Sequence, residues 1–136
     1  MKRQFCTVIG MVGAGISWAF GGFDAGLTAL VICMAIDYVS GCIVALVFHN
    51  SSKTDSGAYD SRLCLKGLCK KILMLLTVIL AVQIDHLLGV DYVRDAVCIG
   101  LAANEVLSIV ENLGRAGIPL PQAVINALEQ LPKSGK

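Results

Sequence analysis

Ionisable side chains are what this sequence most lacks, and where they are missing says more than how few there are. Asp, Glu, Lys and Arg make up 15% of its 136 residues, against about 25% in ordinary soluble domains. Residues 4–23 contain no acid or base apart from Cys6, and residues 27–48 contain one carboxylate, Asp37, and no basic residue. Apolar runs of about 18 residues or more are long enough to cross the roughly 30 Å hydrocarbon core of a bilayer as helix. Histidine is nearly absent as well: His49 and His86 stand alone, and no C-x-x-C pair occurs, which argues against a zinc site. There is no histidine–carboxylate cluster, no nucleophile beside a base and no glycine-rich phosphate loop, so neither an enzyme nor a cofactor is expected. A net charge of +1 supplies no field to draw nucleic acid. The lack of a repeated half argues against an inverted-repeat transporter.

What is present is apolar. Hydrophobic residues reach 56% before the 14 glycines are added, whereas soluble domains hold about 45–50% with glycine included. A soluble fold of this size leaves much of its chain at the surface and could not hide so much. The expected fold is therefore all-α: an integral membrane bundle of three to four spans followed by a short amphipathic C-terminal helix. The lipid bilayer is its first partner. Cys6, Cys33, Cys42 and Cys98 fall within or at the ends of apolar segments, where free cysteine acts as a small hydrophobe. Cys64 and Cys69 lie by the basic cluster and are also read as reduced.

Hydropathy places the spans at about 5–23, 27–48, 68–88 and 95–113, within a membrane region 1–117 and before an amphipathic tail, 118–136. In the first, Gly10, Ala14, Ser17 and Gly21 recur at helical spacing, a face of small residues that lets helices approach closely. Lys2 and Arg3, an apolar stretch and Ser17-Trp18-Ala19 also resemble a cleavable signal peptide; apolar character continuing through Phe23 favours a retained span. In the second, Asp37 costs about 2.5–3.5 kcal/mol at mid-membrane, while eleven Leu, Ile, Val and Phe residues return roughly 3–7 kcal/mol. That helix inserts, with its carboxyl turned to other helices or to water, or else protonated. The third has a short core, 72–84, that Lys70 and Lys71 lengthen by snorkelling. The fourth is weakest, because Glu105 takes back much of what its aliphatic residues contribute. Its polar residues Glu105, Ser108, Asn112 and Arg115 nevertheless share one helix face. Gly41 and Ala45 continue a small-residue face in the second span.

Basic residues gather at the N-terminus (Lys2, Arg3), in a loop at 49–67 with its flank (Lys53, Arg62, Lys66, Lys70, Lys71) and in the tail (Arg115, Lys133, Lys136). The other turns hold Asp24, and then Asp85, Asp91 and Asp95 with Arg94 alone. Four spans would set every basic cluster on one side, and basic loops stay cytoplasmic. Both termini are thus expected inside the cell.

Four elements carry a family resemblance, in this order: M-A-I-D-Y-V-S-G at 34–41, N-S-S and K-G-L-C-K-K at 50–52 and 66–71, N-E-V-L-S-I-V-E-N at 104–112, and G-I-P-L-P at 117–121. Together they resemble the phage lysis and toxin-secretion holins of Gram-positive bacteria and their phages, over about residues 30–131. The resemblance implies a small protein that accumulates in the bacterial cytoplasmic membrane, forms homo-oligomers and opens lesions through which an endolysin, or a toxin, leaves. It also implies about three spans, against the four read from hydropathy. Asp37, Glu105, Ser108 and Asn112 are then candidates for a polar lining, and Gly10, Ala14, Ser17, Gly21, Gly41 and Ala45 for helix packing. Two other readings stay open: Asp37 as a carboxyl paired with a neighbour to set helix register, and Glu105 with Glu111 as exposed groups at a cytoplasmic helix end. A non-lytic membrane scaffold or channel subunit is the alternative function.

Overall fold

The computed structural model describes residues 1–49 and 60–131. They form five helices in the order α1 (Lys2–Ala19), α2 (Ala25–Leu46), α3 (Ser61–Leu88), α4 (Val93–Arg115) and α5 (Gln122–Glu129). Lys53, Ser51, Ser52, Lys133 and Lys136 lie outside the described residues. The helix ends follow local chemistry. Asp24 caps α2, its carboxylate accepting from the N–H of Leu27 at 3.0 Å, the usual way a short acid satisfies a first-turn donor. Asp60 does the same for α3 through the N–H of Arg62 at 2.9 Å. Ser61 is the first helical residue. Gly89 ends α3 in the left-handed region at φ 66°, where a Cβ is disfavoured.

Because Asp60 starts α3 so early, the basic loop expected at 49–67 is shorter than hydropathy suggested. Arg62, Lys66, Lys70 and Lys71 all ride on α3. Three helices are long and apolar enough to cross a membrane: α2, α3 and α4. The weakest expected span thus qualifies and the first does not, since all of α1 amounts to 18 residues and includes Lys2, Arg3 and Gln4. Chain reversal begins at Phe20 rather than after Phe23, with Gly21 at φ 75° and Gly22 at φ 97°. Gly21 therefore leaves the small-residue face of α1 and becomes part of a turn.

α2, α3 and α4 make a three-helix bundle. α4 packs along α2 most extensively and along α3 next, while α2 and α3 touch only sparsely. No residue of α1 or α5 is buried. The apolar core comprises Leu27, Leu30 and Met34 from α2, Met74 and Val78 from α3, and Cys98 from α4. The spacings of three and four residues put each set on one helix face. The opposite faces expose Val31, Ile32, Ile36, Val39 and Ile43 on α2, and Ile72, Leu76 and Leu80 on α3, an apolar girdle suited to lipid and far larger than a soluble monomer carries. This is a multi-pass membrane protein, and every helix described agrees with the all-α expectation.

Candidate functional site

The core faces of the three helices carry charge both above and below the apolar core. On α2 the face runs Asp24, Leu27, Leu30, Met34, Asp37. On α3 it runs Lys71, Met74, Val78, Asp85, and on α4 Arg94, Cys98, Glu105, Asn112. At 1.5 Å per residue, the two charged layers stand about 17–21 Å apart. If the layer at the inter-helix turns lies at one membrane surface, the other lies within the roughly 30 Å hydrocarbon core.

That inner layer is built around Lys71. Its ammonium donates to Asp37 Oδ2 at 2.7 Å and to the carboxylate of Glu105. Asp37 and Glu105 are each 4% exposed, and the Lys71 side chain is 12% exposed. Asn112 extends the network: its Nδ2 donates to Ser40 Oγ at 2.9 Å and lies 3.3 Å from both Asp37 Oδ1 and the Asp37 carbonyl. Ser40 Oγ in turn donates to the Asp37 carbonyl at 3.1 Å. Three helices are joined at one level by groups that hydrocarbon would reject singly. Buried pairing and hydrogen bonding make the layer tolerable.

The expected polar residues are thus brought together, with Asp37, Glu105 and Asn112 in the network. Ser108 is half-buried and lines an adjoining cleft with Gly41 and Ala45. Glu111, by contrast, is exposed and pairs with Arg115 at 3.1 Å. What sequence reasoning missed is Lys71, assigned to the basic flank. The available signal was one of charge balance: two intramembrane carboxylates, with no cation in α2 and those of α4, Arg94 and Arg115, at its two ends. Lys70 and Lys71 are adjacent, about 100° apart around a helix, so they cannot both turn to the same surface.

The outer layer, also unanticipated, is built around Arg94. Its guanidinium donates to the carbonyls of Phe20 at 2.9 Å and Gly22 at 2.8 Å, to Asp24, and to Asp95 Oδ1 at 3.1 Å. Asp85, at the end of α3, accepts the backbone N–H groups of Val93 at 2.9 Å and Arg94 at 3.0 Å. It thereby caps α4, whose own N-cap Tyr92 makes no side-chain bond. Gly21 sits against this arginine: a Cβ there would lie 3.3 Å from Val82 Cγ2 and 3.4 Å from Arg94 Nε. By contrast, nothing lies within 4 Å of where a Cβ would stand on Gly10, and Ala14 is exposed and Ser17 half-buried. Among the described residues, no helix packs on the small-residue face of α1.

The Asp24 carboxyl is held below the usual aspartate range by the side-chain hydrogen bond from Arg94 and then by the N–H of Leu27. A depressed folded value means that its contribution is complete above the ordinary aspartate pKa of about 3.9 and is lost as pH falls through the lower folded value. The melting temperature of the detergent-solubilised protein should lose this contribution only below about pH 4, and Asp24→Asn should reduce the pH dependence there. The side chain is 51% exposed, so solvent screening keeps the effect modest. A pH profile identical for wild type and variant would remove Asp24 as the titrating group.

Among the described residues no cluster of histidine, cysteine and carboxylate could hold a metal ion. The model of the bacteriophage holin family matches residues 14–133. Similar chains include an uncharacterised protein of Listeria innocua, 35% identical over 88% of this chain and 82% of its own length. An uncharacterised protein of Clostridium perfringens is 31% identical, covering 93% and 90% respectively. A 14.9 kDa protein from the nagH 3' region of Clostridium perfringens is 32% identical over 88% of this chain and 86% of its own. No solved structure matches.

Proposed function

The chain belongs to the bacteriophage holin family, and on that premise we propose that it oligomerises in the bacterial cytoplasmic membrane and opens lesions that release an endolysin or a toxin. The observation that carries this reading is the Lys71–Asp37–Glu105 layer within a helix bundle of bilayer-crossing length. Satisfied inside one bundle, the layer lets a single copy rest in lipid without a wet surface. When copies gather and their helices part, the same groups can face a shared aqueous lining, which is the cheapest place for them once the pairing is broken.

In this reading Asp37, Glu105, Ser108 and Asn112 become the lining. The Gly10, Ala14 and Ser17 face of α1, on which no described helix packs, meets another copy, while Gly41 and the buried Ala45 face the cleft within the bundle. Growth by head-to-tail contact would give an open assembly rather than a closed small ring. The basic ends lie at the cytoplasmic surface with both termini inside; this reading requires that α1, which is not apolar enough to cross by itself, cross beside neighbouring helices of the assembly.

The direct test is inducible expression in a bacterium, following entry of a membrane-impermeant dye and release of a co-expressed cytoplasmic muralytic enzyme. Abrupt permeabilisation after a lag is expected; accumulation in an intact membrane would favour the scaffold or channel subunit. Asp37→Asn and Glu105→Gln should each still insert but shift the lag at least twofold, because each weakens the pairing that keeps the layer closed. Unchanged timing in both variants would exclude the polar lining.

A further inference from the structure

A cleft of about 650 Å³ opens between α2, the first half of α3 and α4, well inside the size range of small-molecule sites. The inner ion layer forms its floor. From the level of Ala45 to that of Asp37 it descends eight residues of α2, about 12 Å, and among the described residues the sparse contact of α2 with α3 leaves its side open. Its walls are mostly apolar: Tyr38, Cys42, Ala45, Leu63, Leu73 and Met74. Lys66 and Lys70 also line it, four residues apart and so on one face of α3, with Lys70 one residue from the floor. Both are exposed, and among the described residues neither forms an ion pair. Asp60 also reaches the cleft, but its carboxylate caps the α3 backbone. Lys71 is committed to Asp37 and Glu105.

Two cations whose long side chains can snorkel towards the membrane surface beside an apolar furrow are complementary to a phosphodiester and its acyl chain, and basic pockets between membrane helices hold anionic headgroups for this reason. A soluble anion would satisfy the lysines but leave the walls against water. A second copy entering by its α1 would bring Lys2 and Arg3 towards the same two lysines. We propose that this cleft binds one anionic phospholipid, its phosphate between Lys66 and Lys70 and the upper part of a chain between α2 and α3. The assignment goes beyond lesion formation and needs only that the three helices be embedded in lipid.

The test is native mass spectrometry of the full-length protein in detergent with phosphatidylglycerol, with phosphatidylcholine, and with phosphatidylglycerol plus excess free glycerol phosphate. One retained phosphatidylglycerol per chain is expected, with at least fivefold less phosphatidylcholine and no competition by glycerol phosphate. Lys66→Gln with Lys70→Gln should reduce retention at least fivefold; Lys2→Gln with Arg3→Gln, removing equal charge elsewhere, should not. Gly67→Phe keeps both lysines and fills the furrow, at a position where a Cβ meets nothing within 4 Å; it too should lose the lipid. Circular dichroism checks that each variant keeps wild-type helix content. Equal retention of both lipids, equal loss in the Lys2/Arg3 control, displacement by glycerol phosphate, or retention undiminished in Gly67→Phe would each overturn the proposal.

Discussion

Lys71→Met is expected to destabilise the bundle by about 3–5 kcal/mol, the usual cost of removing one partner from a buried ion pair. Lys71 is the cation of the inner layer, and its loss leaves Asp37 and Glu105, each 4% exposed, as neighbouring carboxylates without a counter-charge. The penalty arises from what remains rather than from what was removed, which yields a sharper expectation. The triple variant Lys71→Met, Asp37→Leu, Glu105→Met has no orphaned charge and should recover most of the stability, since apolar groups of similar volume often replace a buried ion cluster at little cost. Asn112 keeps Ser40 Oγ at 2.9 Å and the Asp37 main-chain carbonyl at 3.3 Å as acceptors even then. Denaturation in mixed detergent micelles, followed by circular dichroism, measures both. A single variant as stable as wild type would show that the three charges do not meet. A triple variant that regains stability but never permeabilises membranes would separate the layer's role in function from its role in folding.

Arg94→Met should act in a different place and in a different way. The guanidinium ties the α1–α2 turn to the start of α4 through two carbonyls and the Asp24 carboxylate. Its removal strands the carbonyls of Phe20 and Gly22 and leaves α1 attached by little but the chain. A loss of about 1.5–3 kcal/mol, the range for hydrogen bonds to a charged group, is expected. That is less than for Lys71, because Asp24 is half-exposed and can be resolvated. The clearer readout is local. Hydrogen exchange of the amides at 20–24 should accelerate at least tenfold while the centres of α2, α3 and α4 keep wild-type protection. Arg94→Lys should not restore it, since a single ammonium cannot reach the acceptors that the planar fork spans. Uniform acceleration throughout the bundle would mean that Arg94 supports the core rather than the turn.

Much of this architecture was legible before any coordinates. Uncharged runs marked α2, and the spacing of Glu105, Ser108 and Asn112 marked one face of α4, because helical period and hydropathy are properties of neighbouring residues. The same local logic misplaced details set by single side chains. Asp60 begins α3 sooner than the apolar run does, so Arg62 and Lys66 are helical. Gly21 belongs to a turn because two consecutive glycines with positive φ break a pattern that small-residue spacing alone would continue.

Composition and periodicity were enough to make this chain helical and membrane-bound and to mark Asp37 and Glu105 as misfits in hydrocarbon, since the cost of a charge in lipid depends only on the group and its depth. Which cation answers them could be settled only by packing. Lys71 stands 34 residues from each, and nothing in a linear pattern states which faces of three helices will meet. The likeness of Lys70 and Lys71 as neighbours in the chain ends once the bundle closes: a step of about 100° around the helix turns Lys71 inward to the carboxylates and leaves Lys70 exposed beside the cleft.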